Sequence, residues 1–384
     1  MPYWDYHKVK RVLKAAPNAL RLDPTYRALA KRINKLIDEH DLLNMTRSDP
    51  LAMFDVRREL CVSEVDDIVN HGYASVGAGE DMLRDLLLVH EEAFRAEAGR
   101  RLYEETVRGG ERFFLEPLIT HALKTTTVKN LNTDDLPPWP DQLSIFLPRG
   151  MVSLLYEGHQ SITIESVHII GVPEVEMSDG GRRALVKSPV IFYSTIDGGV
   201  TSYNIASIAV PPDKDLTCLL DGDYEAVSPA LAGGSATWSS GRMIFPILIN
   251  TLLYWKSQNE DILEQINPQY EKVRARMLRC KKSKKRDKIK KQLRSIPEDR
   301  YCVLGSKLEI LRRRKNIEVP FAQDMSSSEE GEKTGASVVQ HWTRGHFKWQ
   351  PCGPRRSLRK LIFVSDYQKG TLPPPEKVGY SVRS

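Results

Sequence analysis

"DDLPPWPDQ", residues 134–142, is the stretch on which the fold turns. Prolines 137, 138 and 140 fix φ and remove backbone donors, so no helix runs through it. Upstream of it the apolar residues recur with a helical period. Leu29, Ile33, Leu36 and Ile37 share one stripe, and residues 81–107 repeat the pattern through Leu83, Leu86, Leu87, Phe94 and Leu102. His90 falls on that stripe and reads as a packed core histidine, not a ligand. Downstream the period shortens to two. "LSIFLP", "MVSLLYEG", "SITIESVHIIGV", "RALVKSPVIFYSTI" and "VTSYNIASIAV" are β-branched and aromatic runs punctuated by Gly, Pro and Asp, the pattern of an antiparallel meander. "STIDGGVTSY", residues 194–203, places a DGG turn between two such runs. The expected fold is α+β: a helical N-terminal domain over residues 1–133, then a mixed, mainly antiparallel β-sheet domain over 134–323.

Within that second domain, Met243, Ile247, Leu248, Thr251, Leu252 and Trp255 build the apolar face of a helix over 241–257. Residues 300–315 read as a strand, a glycine turn and the start of a basic helix. The Ser/Glu/Gly-rich stretch 324–337 reads as a flexible linker, followed by a C-terminal aromatic and basic hairpin with its tail over 338–384.

Composition narrows the class. At 41% hydrophobic and 28% charged over 384 residues, the chain has the balance of a soluble globular protein with a sizeable core. Its cysteines (Cys61, Cys218, Cys280, Cys302 and Cys352) are odd in number and show no CxxC spacing, which suits reduced thiols. There is no secretory pattern and no apolar run of about 18 residues. A cytoplasmic protein without membrane contact is the expectation.

The net charge of +6 is mild, but its distribution is not. From Lys272 to Arg294 the sequence forms a basic arm, with Arg279, Lys281, Lys282, Lys284, Lys285, Arg286 and Lys288 at its centre and Asp287 among them. A run of this kind is either a solvated helical projection or a surface for RNA or ribosomal phosphates, which it would bind with counterion release.

"HWTRGHFKWQPCGPRRSLRKLIFVSDYQKG", residues 341–370, crowds rings and cations together. His341, His346 and Cys352 make three candidate metal ligands without a clear fourth, so no zinc site and no other cofactor is expected. A histidine nuclease site lacks a nearby carboxylate, none lying between Thr343 and Ile362. Arg344, Lys348, Arg355, Arg356, Arg359 and Lys360 offer phosphate contacts, and Trp342, Phe347 and Trp349 offer stacking faces. Strand alternation accounts for much of the same pattern, since Thr343, Phe347 and Trp349 share one face while Trp342, Arg344, His346 and Lys348 share the other. "CGPRRS" is then the turn and "LRKLIFV" the returning strand. A structural hairpin and a polar binding face are compatible.

The run from His341 to Val364 resembles the C-terminal signature of a phage and plasmid family that includes the anti-CRISPR proteins directed against type V-A effector nucleases. Three further blocks in the same order are similar to that family: "SIFLPRGMVSLLYE" (144–157), "ILINTLLYWKSQNEDI" (247–262) and "YCVLGSKLEILRRR" (301–314). The central strand departs from the family pattern by lacking a Trp-Cys pair after its proline, and the run 272–294 looks like an insertion. The resemblance implies a binding protein, not an enzyme. It implies recognition of a nascent CRISPR effector nuclease, or another target protein, on translating ribosomes, with loss of the target's mRNA. A ribonuclease or toxin, and a general nucleic-acid-binding phage protein, are the competing classes. No P-loop, GxSxG, HExxH or compact carboxylate cluster points to the former.

Overall fold

A computed structural model describes residues 3–14, 24–48, 62, 80–126, 128, 131–154, 162–179, 182–197, 200–207, 210, 212–217, 235–257, 262–306, 341–343, 346–352, 354, 358–364 and 367–369. The architecture is α+β, as expected. Helices α1 (Tyr6–Lys14), α2 (Pro24–Glu39), α3 (Leu42–Ser48) and α4 (Glu80–Gly109) come first, and strand β1 (Glu111–Leu115) and helix α5 (Pro117–Thr125) follow. Strands β2 (Leu143–Phe146), β3 (Ser153–Leu154), β4 (Ile162–Gly171), β5 (Glu174–Asp179), β6 (Arg182–Lys187), β7 (Val190–Asp197) and β8 (Val200–Ser207) follow. The chain continues through α6 (Ser235–Ser257), β9 (Ile262–Ile266), α7 (Pro268–Arg279), α8 (Ser283–Arg294) and β10 (Arg300–Leu304). Last come β11 (His341–Thr343), β12 (His346–Cys352), β13 (Leu358–Val364) and β14 (Tyr367–Lys369).

Among the described residues the main sheet has eight strands, ordered β8-β7-β4-β2-β1-β10-β9 with β3 also on β4. Pairing is antiparallel except at the centre, where β1 runs parallel to both β2 and β10. β1 lies within the stretch read as helical. Its sequence ERFFL is a short apolar run without alternation, because a central strand is covered on both faces and periodicity then says nothing. The available signal is Gly109-Gly110, which ends α4 just before it.

Two cores flank the sheet. Phe113 and Leu115 of β1 point to one that also holds Ile145, Ile119 of α5 and the apolar residues of α6 from Ile244 to Tyr254. Phe114 points to the other, with Phe146, Tyr301, Val303 and the N-terminal helices, whose Ile33, Ile37 and Phe94 supply the helical stripe. Trp4 anchors the chain start to that layer, donating its Nε1–H to the Leu115 carbonyl at 2.6 Å.

α6 begins at Ser235, earlier than the sequence suggested, because Gly241 is tolerated inside it. From Ile247 to Tyr254 every residue of α6 is buried. A helix buried all round is covered on more than one side. The sheet covers one side. The other covers are α5, whose Leu123 carbonyl accepts from the Asn250 carboxamide at 2.8 Å, and the β12–β13 hairpin, which packs on α6 and does not join the main sheet. The pair β5–β6 likewise forms its own two-stranded ribbon, outside the meander to which its sequence was assigned.

The sheet carries one buried polar seam. His168 is fully buried, with Nδ1 2.9 Å from Ser144 Oγ and Nε2 2.7 Å from Ser166 Oγ, and Ser166 meets Ser194 at 2.7 Å. Tyr103 and Phe146 present ring edges to it. Burial pushes the imidazole down to about 3, so it is neutral at physiological pH. The unfolded chain binds a proton below the ordinary value of about 6.5 that the native state refuses until about 3. Stability is therefore expected to fall as pH drops through that window, by up to about 1.4 kcal/mol per pH unit from this group. His168→Gln should melt lower at pH 7 yet lose less between pH 6 and 4; parallel curves for the two proteins would contradict this.

Candidate functional site

The basic run folds as a helical hairpin inserted between two neighbouring antiparallel strands. β9 and β10 pair with Ile266 opposite Arg300, and α7–α8 fills the connection. Its stem is fixed by Asn267, which is almost fully buried. The Asn267 carboxamide oxygen accepts from the Gln269 N–H at 3.0 Å, capping α7, and its Nδ2 donates to the Pro297 carbonyl at 2.9 Å. Its own N–H donates to the Asp299 carbonyl at 3.1 Å. The Asp299 carboxylate in turn accepts from the Tyr6 hydroxyl at 3.2 Å and pairs with Arg112 at 3.6 Å. Burial, reinforced by Asp299, pushes the Tyr6 hydroxyl up to about 12. The arm thus rises from a rigid base tied to α1 and β1.

Above the stem the two helices pack mainly on each other, with Val273 and Ile289 buried between them. Everything cationic faces out: each Lys and Arg from Lys272 to Arg294 is exposed, including Arg279, Lys281, Lys282, Lys284, Lys285, Arg286 and Lys288. Arg276 donates to the Gln292 carboxamide across the hairpin. Among the described residues no carboxylate lies within 4.0 Å of any of these cations.

The C-terminal segment divides into two strand pairs, not one. β11 pairs with β14, and β12 pairs with β13 with Phe347 opposite Phe363 and Trp349 opposite Leu361. Alternation holds along β12: Phe347 is buried, Trp349 is half-buried against the same core, and Lys348 and Gln350 are exposed. Phe347 and Phe363 stand 5.2 Å apart, and the Tyr254 ring of α6 meets Phe363 edge-on at 5.2 Å. His346 is half-buried at the start of the strand. Trp342 lies on β11 and Arg359 on β13, with side chains outside the described set; Arg344, Arg355, Arg356 and the linker 324–337 lie outside the described residues altogether. Phe347 is thus committed to packing, while Lys348 and Lys360 are open to solvent.

Two chemically loaded groups elsewhere are held inert. His168 has no exposed surface, and the half-buried Cys302 thiol is pushed up to about 11 by burial with Glu264 and Glu111 beside it. Among the described residues no group of three or more His, Cys, Asp or Glu is arranged to hold a metal, and no helix is long and apolar enough to cross a membrane.

No curated protein matches the chain. A solved structure described as the crystal structure of AcrVA2 aligns with a TM-score of 0.36 and 14% identity, covering 86% of this chain and 99% of that one. Residues 232–367 match the AcrVA2-like family, described as the anti-CRISPR type V subtype A2 family. That match takes in α6, the arm, β9, β10 and both C-terminal strand pairs up to Tyr367, and it supports an anti-CRISPR role with a protein partner. The resemblance read from the sequence is borne out over residues 232–367, which are similar to the AcrVA2-like family.

Proposed function

We propose that this protein is an anti-CRISPR inhibitor of effector synthesis: it recognises its target nuclease as a nascent chain on translating ribosomes and promotes loss of the target's mRNA. The observation that carries this reading is the AcrVA2-like match over residues 232–367. It acts by binding and not by catalysis. That part of the reading is supported by the sealed position of His168 and by the protonated state in which burial keeps Cys302. The protein works in the cytoplasm of the host bacterium, where its target is made.

Co-expression with a type V-A effector nuclease tests the proposal. Effector protein and its message should both fall, and a message whose start codon is mutated should be spared because no nascent chain is presented. Inhibition of a purified, preassembled effector at unchanged message level would instead mark a direct inhibitor. Message fragments released by the purified protein alone would mark a ribonuclease.

A further inference from the structure

We infer that the α7–α8 arm is a docking surface for duplex RNA that grips phosphates without reading bases. Residues 268–294 carry thirteen Lys and Arg against two acids, Glu271 and Asp287. All thirteen cations are exposed, and none has a carboxylate within 4.0 Å among the described residues. Charge left uncompensated at this density is complementary to a polyanion, whose condensed counterions are released on contact.

The rest of the surface decides which polyanion. A membrane-surface helix needs an apolar face free to enter the lipid. Here Ile289 is buried and Leu293 half-buried between the two helices, and Leu278 is the one largely exposed apolar side chain of the arm. An acidic protein partner calls for an apolar, aromatic interface centre, which the arm does not offer. Single-stranded RNA is held by stacking on aromatic rings. The only aromatic residue of the arm is Tyr270, half-buried at the foot of α7 beside Glu298. Duplex RNA is recognised through its shape and its phosphate and 2′-OH groups, and needs neither a stacking platform nor an apolar centre.

The face that docks follows from helical geometry. With Ile289 turned toward α7, Lys284, Asp287, Lys291 and Arg294 lie opposite it, facing away from α7. Asp287 sits three residues after Lys284 and four before Lys291, the one negative charge on that surface. It tempers the grip. The stem bonds of Asn267 and Asp299 hold the arm's orientation, so its cations are presented from a fixed base.

This deepens the ribosome-linked reading above, but its test needs no effector and no ribosome. The purified full chain is titrated with a 20-base-pair RNA duplex, a U-rich single strand of equal length and polyglutamate, at several salt concentrations. The duplex should bind tightest, with the logarithm of affinity falling linearly with the logarithm of salt by about 0.9 per phosphate contacted, the value for B-form duplexes. Replacing Lys281, Lys282, Lys284, Lys285 and Arg286 with Ser should cut that slope by about three or more and weaken binding on the order of a hundredfold at 0.1 M salt, with the melting temperature unchanged. Asp287→Asn should do the reverse, tightening duplex binding roughly threefold or more. A wild-type slope in the five-fold variant, equal affinity for the single strand, preference for polyglutamate, or an Asp287→Asn variant that binds no tighter would each overturn the inference. An inhibitor that lowers effector message while failing this test would leave the function standing without the RNA contact.

Discussion

Deleting residues 338–384 is expected to turn a cooperatively melting protein into a molten or insoluble one. α6 is buried all round from Ile247 to Tyr254, and the sheet and α5 leave one side of it open. Phe347, Leu361 and Phe363 of the β12–β13 hairpin close it, with Phe363 against the Tyr254 ring. Each of these side chains stabilises by about 1.5–3 kcal/mol through burial. Together they approach the whole stability of a domain, roughly 5–15 kcal/mol. The truncated chain should bind a hydrophobic dye and lose its sharp thermal transition. A truncation that melts cooperatively at the wild-type temperature would show that α6 does not depend on the hairpin. The single change Phe363→Ala should cost about 3–5 kcal/mol and keep the transition cooperative.

Gly305→Ala is expected to destabilise by roughly 2–5 kcal/mol, summing left-handed strain and overpacking. Gly305 ends β10 with φ +84, where a Cβ is strained, and a Cβ built there would stand 2.6 Å from both Cβ and Cγ2 of Ile119. Ile119 is fully buried on α5 and has no room to withdraw. The same turn is bonded to α5, whose Glu116 N–H donates to the Leu304 carbonyl at 3.0 Å. Asn tolerates positive φ better than Ala but carries the same Cβ. If the contact with Ile119 dominates, Gly305→Asn should be as damaging as Gly305→Ala in chemical denaturation. Recovery of most of the stability by Asn would assign the cost to backbone strain alone.

What the sequence revealed depended on which faces are wet. The amphipathic α2 announces itself because a pattern of covered and exposed positions survives in it, and the meander strands through their β-branched runs and the turn residues between them. β1 does not, since both its faces are buried and five apolar-rich residues have no readable period. The glycine turn after "YCVL" was legible because an isolated glycine after a strand marks a special backbone, and Gly305 has it. Alternation correctly separated Phe347 and Trp349 from Lys348, but not the partner on which that hairpin lies, which is a helix and not the sheet. At the arm, composition gave the cations directly. That they stand on two mutually packed helices anchored by Asn267 and Asp299 depends on long-range bonds that no local pattern encodes.

The parallel placement of β1 between β2 and β10 also sets a timetable. Residues 111–115 leave the ribosome long before residues 300–304, at about 5–20 residues per second a wait of roughly 10–40 seconds. Until β10 arrives, the central strand of the sheet has one open edge. The hairpin that closes α6 is made later still. Contacts so distant in sequence are slow to form and reward the chain only once both ends are present. The early strands therefore wait with apolar faces exposed until β10 and the hairpin that covers α6 have been made.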